Sequence, residues 1–253
     1  MHLKHCIKNI PPLNQGHLMP QDSSMAQQAY DVLQHSTLFG NLEERTIKEM
    51  INECTPMRWK KTDTLDPEMG EKYLFIIISG RLKVTHIDPN TGRSLALFLK
   101  GEGDIFDIFT LLDGKKHVIF PVVMDHMSVL RLPLSRAREW IVEHPEFNAS
   151  FLPYLGEKMR ALESFGTSLV FHDTNTRLAK LILDHTIAET NNEHYPVKLI
   201  NTLSHESLAE LIGSVRSVVS TQMHKLKEEG VIMNKRGHLA VSNLKKLMDK
   251  CDS

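Results

Sequence analysis

The stretch Leu203-Ser-His-Glu-Ser-Leu-Ala-Glu-Leu-Ile-Gly213-Ser-Val-Arg-Ser-Val-Val-Ser-Thr-Gln-Met-His-Lys-Leu-Lys-Glu-Glu-Gly230 decides how this chain is read. Ser204 can cap a helix whose apolar face is Leu208, Leu211 and Ile212. Gly213 can end that helix, because glycine takes the turn conformation other residues resist. A second helix is then expected to turn Val215, Val219 and Leu226 inward and Arg216, Ser217, Ser220, Thr221, His224 and Lys225 outward. Small Ala209, the turn glycine and Val219 have the spacing of a helix-turn-helix, where two short helices approach closely at a steep angle. Gln222 stands where an apolar residue is usual, so Met223 is expected to pack in its place. An ordinary helical hairpin with a solvated polar face is the competing reading.

The next residues weigh against that hairpin. Val231-Ile232 and Leu239-Ala-Val241 flank the basic, glycine-containing segment Met233-Asn-Lys-Arg-Gly-His238, which reads as a small β-hairpin set against the helices. This is the order of a winged helix. Its second helix would lie in the DNA major groove with N-terminal side chains at base edges. Ser204 and the wing-tip Lys235 and Arg236 would meet phosphate. From 203 to 246, Arg216, Lys225, Lys227, Lys235, Arg236, Lys245 and Lys246 outnumber Glu206, Glu210, Glu228 and Glu229. A local basic face suffices for a sequence reader, so a net charge of -1 does not exclude one.

With 253 residues the chain has room for two domains, and 41% hydrophobic with 24% charged residues is the balance of a soluble globular protein. Cys6, Cys54 and Cys251 are odd in number and far apart, with neither zinc spacing nor a disulfide framework, which fits a reducing cytoplasm. Apolar runs fall short of the ~20 residues that span a bilayer, so no membrane partner is expected. Scattered Lys and His at the N-terminus argue against a signal peptide.

Taken in order, residues 1–24 read as a flexible N-terminal arm rich in Pro, Asn, Gly and Ser. Residues 25–142 read as a roll with flanking helices, and Asn41 is expected to cap one of these. Short strands are expected over 72–80, 81–87, 93–99, 118–124 and 128–132, with a turn at Asp88-Pro-Asn-Thr-Gly92. No helices separate these strands, so a parallel sheet is unexpected. Residues 143–173 read as a long dimerisation helix in which Leu152, Leu155, Met159, Leu162 and Leu169 recur at steps of three and four, with Gly166 in the missing place. Packing on the chain's own roll is the plainer alternative for this stripe. Pro153 must start or kink this helix. Residues 174–253 form the winged helix-turn-helix unit, opened by a helix over 177–190. The fold class is therefore α+β: an N-terminal antiparallel β-roll or double-stranded β-helix, a long dimerisation helix and a C-terminal winged helix-turn-helix.

This order resembles the Crp/Fnr superfamily of bacterial transcription regulators over about residues 30–250. The likeness is carried by Tyr73 to Val84 with Gly80, by Gly103-Asp104, by His144-Pro145-Glu146, by Phe171-His-Asp-Thr-Asn-Thr-Arg177 and by the helix-turn-helix. The resemblance implies a homodimer on a palindromic operator, contact with RNA polymerase if the protein activates, and base reading by Arg216 and Ser217 with Ser220 and Thr221 one turn on. Cyclic-AMP-binding members hold the phosphate with a Glu and an Arg-Ser pair, and here Ile108, Val118 and Ile119 fall at those places. Three aliphatic side chains offer an anion no counter-ion or donor, so no cyclic AMP binding is expected. One N-terminal cysteine, Cys6, cannot supply a four-thiolate iron-sulfur cluster. Haem-based members place Cys and His where this chain has Asp107 and Phe109, while His86, His117 or His126 keep haem open.

An apolar effector site lined by Phe106, Ile108, Phe109, Val118 and Leu162 is the remaining expectation, with a filled core as its alternative. An enzyme is not expected: the histidines lack cupin spacing, and no P-loop, GxGxxG or nucleophile elbow is present. A third reading is a protein-interaction or ligand-binding module, built on the roll, with vestigial DNA contacts.

Overall fold

The structure, a computed structural model, describes residues 17–18, 23–66, 68–117, 119–187, 194–235 and 238–251. Its chain divides into one unit of residues 1–93 and 98–159 and a second of 94–97 and 160–253. The elements in order are β1 (His17–Leu18), α1 (Ser23–Leu33), α2 (Glu44–Glu53), β2 (Thr55–Trp59), β3 (Tyr73–Ser79), β4 (Leu82–Ile87), β5 (Ser94–Lys100), β6 (Ile105–Phe106), α3 (Ile108–Asp113), β7 (Phe120–Val123) and β8 (Met127–Pro133). There follow α4 (Leu134–Glu143), α5 (Pro145–Phe171), α6 (Thr174–Asp184), β9 (Tyr195–Pro196), α7 (His205–Leu211), α8 (Arg216–Glu228), β10 (Ile232–Lys235), β11 (His238–Val241) and α9 (Leu244–Asp249).

The first unit is built on two antiparallel sheets, one in the order β1-β2-β8-β3-β6 and the other β5-β4-β7. Strand β3 shows why its sequence is almost continuously apolar. Successive side chains leave a strand on opposite faces. Leu74, Ile76 and Ile78 enter one core with α1, α2, α4 and the start of α5, while Phe75 and Ile77 enter another between the sheets with Trp59, Phe106 and Val129. Both faces of β3 are covered, as the apolar run demands. Gly80 follows at φ +84, where an added Cβ would stand 2.7 Å from the His126 carbonyl oxygen, so only glycine fits the turn into β4. Arg81 clasps Asp125 with two donors, Nε to Oδ2 at 2.6 Å and Nη2 to Oδ1 at 2.9 Å.

Helix α5 begins at Pro145, a position where the missing N–H costs nothing. It runs through Pro153 without ending. Phe147, Phe151 and Tyr154 bury one face of its first half in the core shared with α4. Most of the expected N-terminal arm lies outside the described residues, but His17 and Leu18 pair with Arg58 and Met57, so that part belongs to the sheet. Glu43, not Asn41, occupies the cap position of α2.

In the second unit α6 starts at Thr174 rather than 177, because Asp173 caps it, its Oδ1 accepting from the Thr176 N–H at 2.8 Å. Leu178, Ala179 and Ile182 are buried. The expected wing hairpin forms, with Ile232 opposite Val241 and Lys235 opposite His238. A third strand, β9, pairs with β11 and has no counterpart among the expected strands. Among the described residues no helix is long and apolar enough to cross a membrane.

Candidate nucleic-acid interface

Helix α7 begins where the Ser204 hydroxyl accepts from the Ser207 N–H at 3.1 Å, satisfying one of the free donors of the first turn. Leu208, Ala209, Leu211 and Ile212 are buried. Gly213 follows at φ +62, and a Cβ there would meet Leu169 Cδ2 at 2.7 Å. Glycine therefore meets two demands at this turn, a left-handed backbone and a close leucine. The Ser214 N–H then donates to the Ala209 carbonyl at 2.8 Å, closing the turn before α8.

Val219 and Leu226 are fully buried and fix which face of α8 points out. Gln222 finds polar partners in α6: with its nitrogen toward Thr174, the amide donates to that carbonyl at 3.3 Å and accepts from the Asn175 N–H at 3.1 Å. This explains a glutamine at a position usually apolar. His205 Nδ1 and Ser220 Oγ are hydrogen-bonded at 2.7 Å. Ser220, expected outward, is thus half-buried between the helices.

Arg216, Ser217, Thr221, His224 and Lys225 are exposed together on the outer face of α8. Arg216 has no ion-pair partner among the described residues, so its five donors are free for a ligand. The Thr221 hydroxyl donates to the Ser217 carbonyl at 3.1 Å, which commits its proton to the helix. His224 lies 3.1 Å from Glu228. Glu229 takes Lys250 at 2.6 Å, which holds its carboxyl below the usual range. Val215 departs from expectation: it caps α8 in an extended conformation and is 49% exposed rather than inward. A groove of about 380 Å³ runs between the start of α7, α8 and the wing, with Thr202, His205, His224, Lys227 and Asn234 on its walls. Lys235 ends β10, while its side chain and Arg236 lie outside the described residues.

Of the residues named for the effector pocket, Phe106, Ile108 and Phe109 take separate surroundings. Asp107 takes φ +41 between β6 and α3. Phe106 packs between the sheets, Ile108 packs against the helical core, and Phe109 is 43% exposed. Val118 lies outside the described residues, and Leu162 belongs to the part of α5 in the second unit. Ile119, one of the aliphatic residues at the expected phosphate position, is buried between the sheets.

No motif or spacing marks the buried Asp107 carboxylate, which holds His117 Nδ1 at 2.9 Å and would leave no room for a Cβ on Gly70. His86 and His117 have ring centroids 6.4 Å apart, and Phe109 meets His117 edge-on at 4.7 Å. His126 is exposed. Among the described residues no three His, Cys, Asp or Glu side chains are grouped to hold a metal. Cys54 and Cys251 are buried, and burial pushes the Cys54 thiol up to about 12.

On α5, Leu152 and Met159 are strongly exposed and Gly166 faces open space. Leu162 is half-buried. Leu155 packs against the helical core, and Leu169 lies beside Gly213, so these two members of the stripe have neighbours in their own chain.

Residues 176–250, from α6 to α9, match the Crp-like helix-turn-helix domain family. The chain is 23% identical over 219 residues to the CRP-like cAMP-activated global transcriptional regulator of Mycobacterium tuberculosis, covering 86% of this chain and 97% of that protein. Residues 176–250 thus form a Crp-like helix-turn-helix domain, and most of the chain is similar to a CRP-like transcriptional regulator. The global nitrogen regulator of Synechocystis is 23% identical over 176 residues, covering 67% of this chain and 76% of its own. A variant of CooA from Carboxydothermus hydrogenoformans shares the fold with a TM-score of 0.65 at 22% identity, over 79% of this chain and 89% of that one.

Proposed function

We propose that this Crp/Fnr-type regulator is a cytoplasmic, sequence-specific DNA-binding homodimer without catalytic activity, which places α8 in the major groove. The observation that carries this reading is the outer face of α8, where an unpaired Arg216 stands with Ser217, Thr221, His224 and Lys225 above a fully buried Val219 and Leu226. Arg216 reads guanine through paired hydrogen bonds to O6 and N7. Lys225 and the donors of the neighbouring groove take backbone phosphates, which position the helix without reading sequence. Ser204, whose hydroxyl already caps α7, and the wing residues Lys235 and Arg236 complete the phosphate contacts. The domains are a roll at 25–142, a dimer helix at 143–173 and a DNA unit at 174–253. The exposed Leu152, Met159 and Gly166 support a two-fold seam along α5 with Leu155, Leu162 and Leu169 at its edges.

The effector is not cyclic AMP, although the mycobacterial relative is named for activation by it. Ile119 is buried and Ile108 packs on the helical core, so neither offers a donor to a cyclic phosphate. Three cysteines in the chain, Cys6, Cys54 and Cys251, are too few for the four-thiolate ligation of an iron-sulfur cluster, so none is proposed. A second reading gives the roll a haem, with His86 and His117 as the ligands and Asp107 orienting the His117 ring, as carboxylates orient metal-bound imidazoles. A Soret band after haem addition that is lost in His117→Ala would establish it, and no band would end it.

Nuclease footprinting of the full chain on DNA from its own upstream regions tests the leading proposal. Protection of defined sequences that survives moderate salt is expected. Protection without sequence preference would support a vestigial DNA surface instead.

A further inference from the structure

Two valines at the start of α8 are exposed rather than buried. Val215 is 49% exposed and Val218 is 37% exposed, while Val219 between them and the next turn is fully buried. Val215 at the extended cap and Val218 in the first turn bracket Arg216 and Ser217 in sequence and are exposed with them at the start of α8. Val215 also breaks a local rule. It sits at the cap position, makes no side-chain hydrogen bond to the first turn, and stands where Ser, Thr, Asp or Asn would stabilise the helix. A residue that breaks a local helix rule at an exposed helix start points to a functional position.

We infer that Val215 and Val218 form an apolar clamp for the 5-methyl groups of thymines next to the guanine read by Arg216. This rests on the reading that α8 lies in the major groove. There thymine alone among the four bases carries a methyl group, and small apolar side chains are its natural partners. The surroundings favour this occupant over an apolar protein surface. Arg216, Ser217, Thr221 and Lys225 ring the valines with polar and cationic groups, which complements nucleic acid. The half-site would therefore combine one guanine with one or two adjoining thymines, and Ser217 between the valines is short enough to let both approach the base edges.

The test uses the preferred operator recovered from a random pool, resynthesised with each thymine in turn replaced by deoxyuridine, which removes the methyl and nothing else. At one or two positions per half-site, beside the guanine whose loss Arg216→Ala no longer senses, affinity is expected to fall about fourfold per methyl. Val218→Ala or Val215→Ala should abolish that penalty while retaining the Arg216-dependent guanine preference. An operator indifferent to deoxyuridine, or a penalty that persists in both valine variants, would overturn the clamp and leave the docking of α8 standing. If no sequence is enriched at all, both fall.

Discussion

His205 Nδ1 and Ser220 Oγ lie 2.7 Å apart, tying the first residue of α7 to the second turn of α8. The bond fixes the pitch at which α8 leaves the turn, and it moves Ser220 from base reading to support. Ser220→Ala should therefore weaken every operator alike, by severalfold, and lower unfolding free energy by about 1 kcal/mol, the net worth of a typical hydrogen bond. Equal loss across operators with unchanged base preference is the expected binding result. A changed preference at one base pair would return Ser220 to the reading face.

Arg216 and Lys225 separate specificity from attraction. Arg216→Ala should cost about 1–3 kcal/mol and relax one base position. Lys225→Ala should weaken all sequences and reduce the dependence of log K on log salt by about one ion. Binding isotherms at several salt concentrations measure both.

Gly213 has φ +62 and Leu169 Cδ2 where its side chain would begin. Gly213→Ala is expected to destabilise the second unit by more than about 1 kcal/mol, since strain and a close contact act together. Thermal unfolding would detect it as a lower midpoint for that unit.

Leu152 and Met159 are exposed in the single chain, so charge there leaves each fold intact. Leu152→Glu with Met159→Glu should give a folded monomer in sedimentation, with operator affinity reduced at least tenfold. A variant that still sediments as a dimer would remove α5 from the interface.

Lys100 is 6% exposed, and burial lowers its amine from 10.5 to about 8, with Asp104 opposing the shift. Below pH 8 the ammonium is charged in both folded and unfolded chains and the folded state carries the full desolvation penalty. Between pH 8 and 10.5 the folded chain has released a proton the unfolded chain still holds, so stability contributed by this group rises with pH. Lys100→Met should raise stability at pH 7 by on the order of 3 kcal/mol and flatten that rise. Urea unfolding from pH 7 to 10.5 checks both.

The elements set by local chemistry are legible in the residues themselves. Gly213, the Ser204 cap and the spacing of Val219 and Leu226 define the helix-turn-helix, and Asp88 to Gly92 marks the turn between β4 and β5. What escapes such a reading depends on partners distant in sequence or on single backbone angles. Val215 shares the period of Val219, yet its extended cap conformation turns it outward. Gln222 is a defect in the apolar pattern that Thr174 and Asn175, far back in the chain, resolve. Phe106, Ile108 and Phe109 read as one lining because they are adjacent, but Asp107 at φ +41 sends them apart. Strand β9 is two residues long and contains Pro196, too little pattern to register against turn signals.

Selection of bound duplexes from a random pool by the full chain, with the stoichiometry of the winning complex read by sedimentation, decides whether α8 reads DNA as one of a symmetric pair. Two chains on a palindrome whose half-site centres lie about 34 Å apart are expected. A single chain per duplex, or a pool that emerges without any enriched sequence, would contradict it.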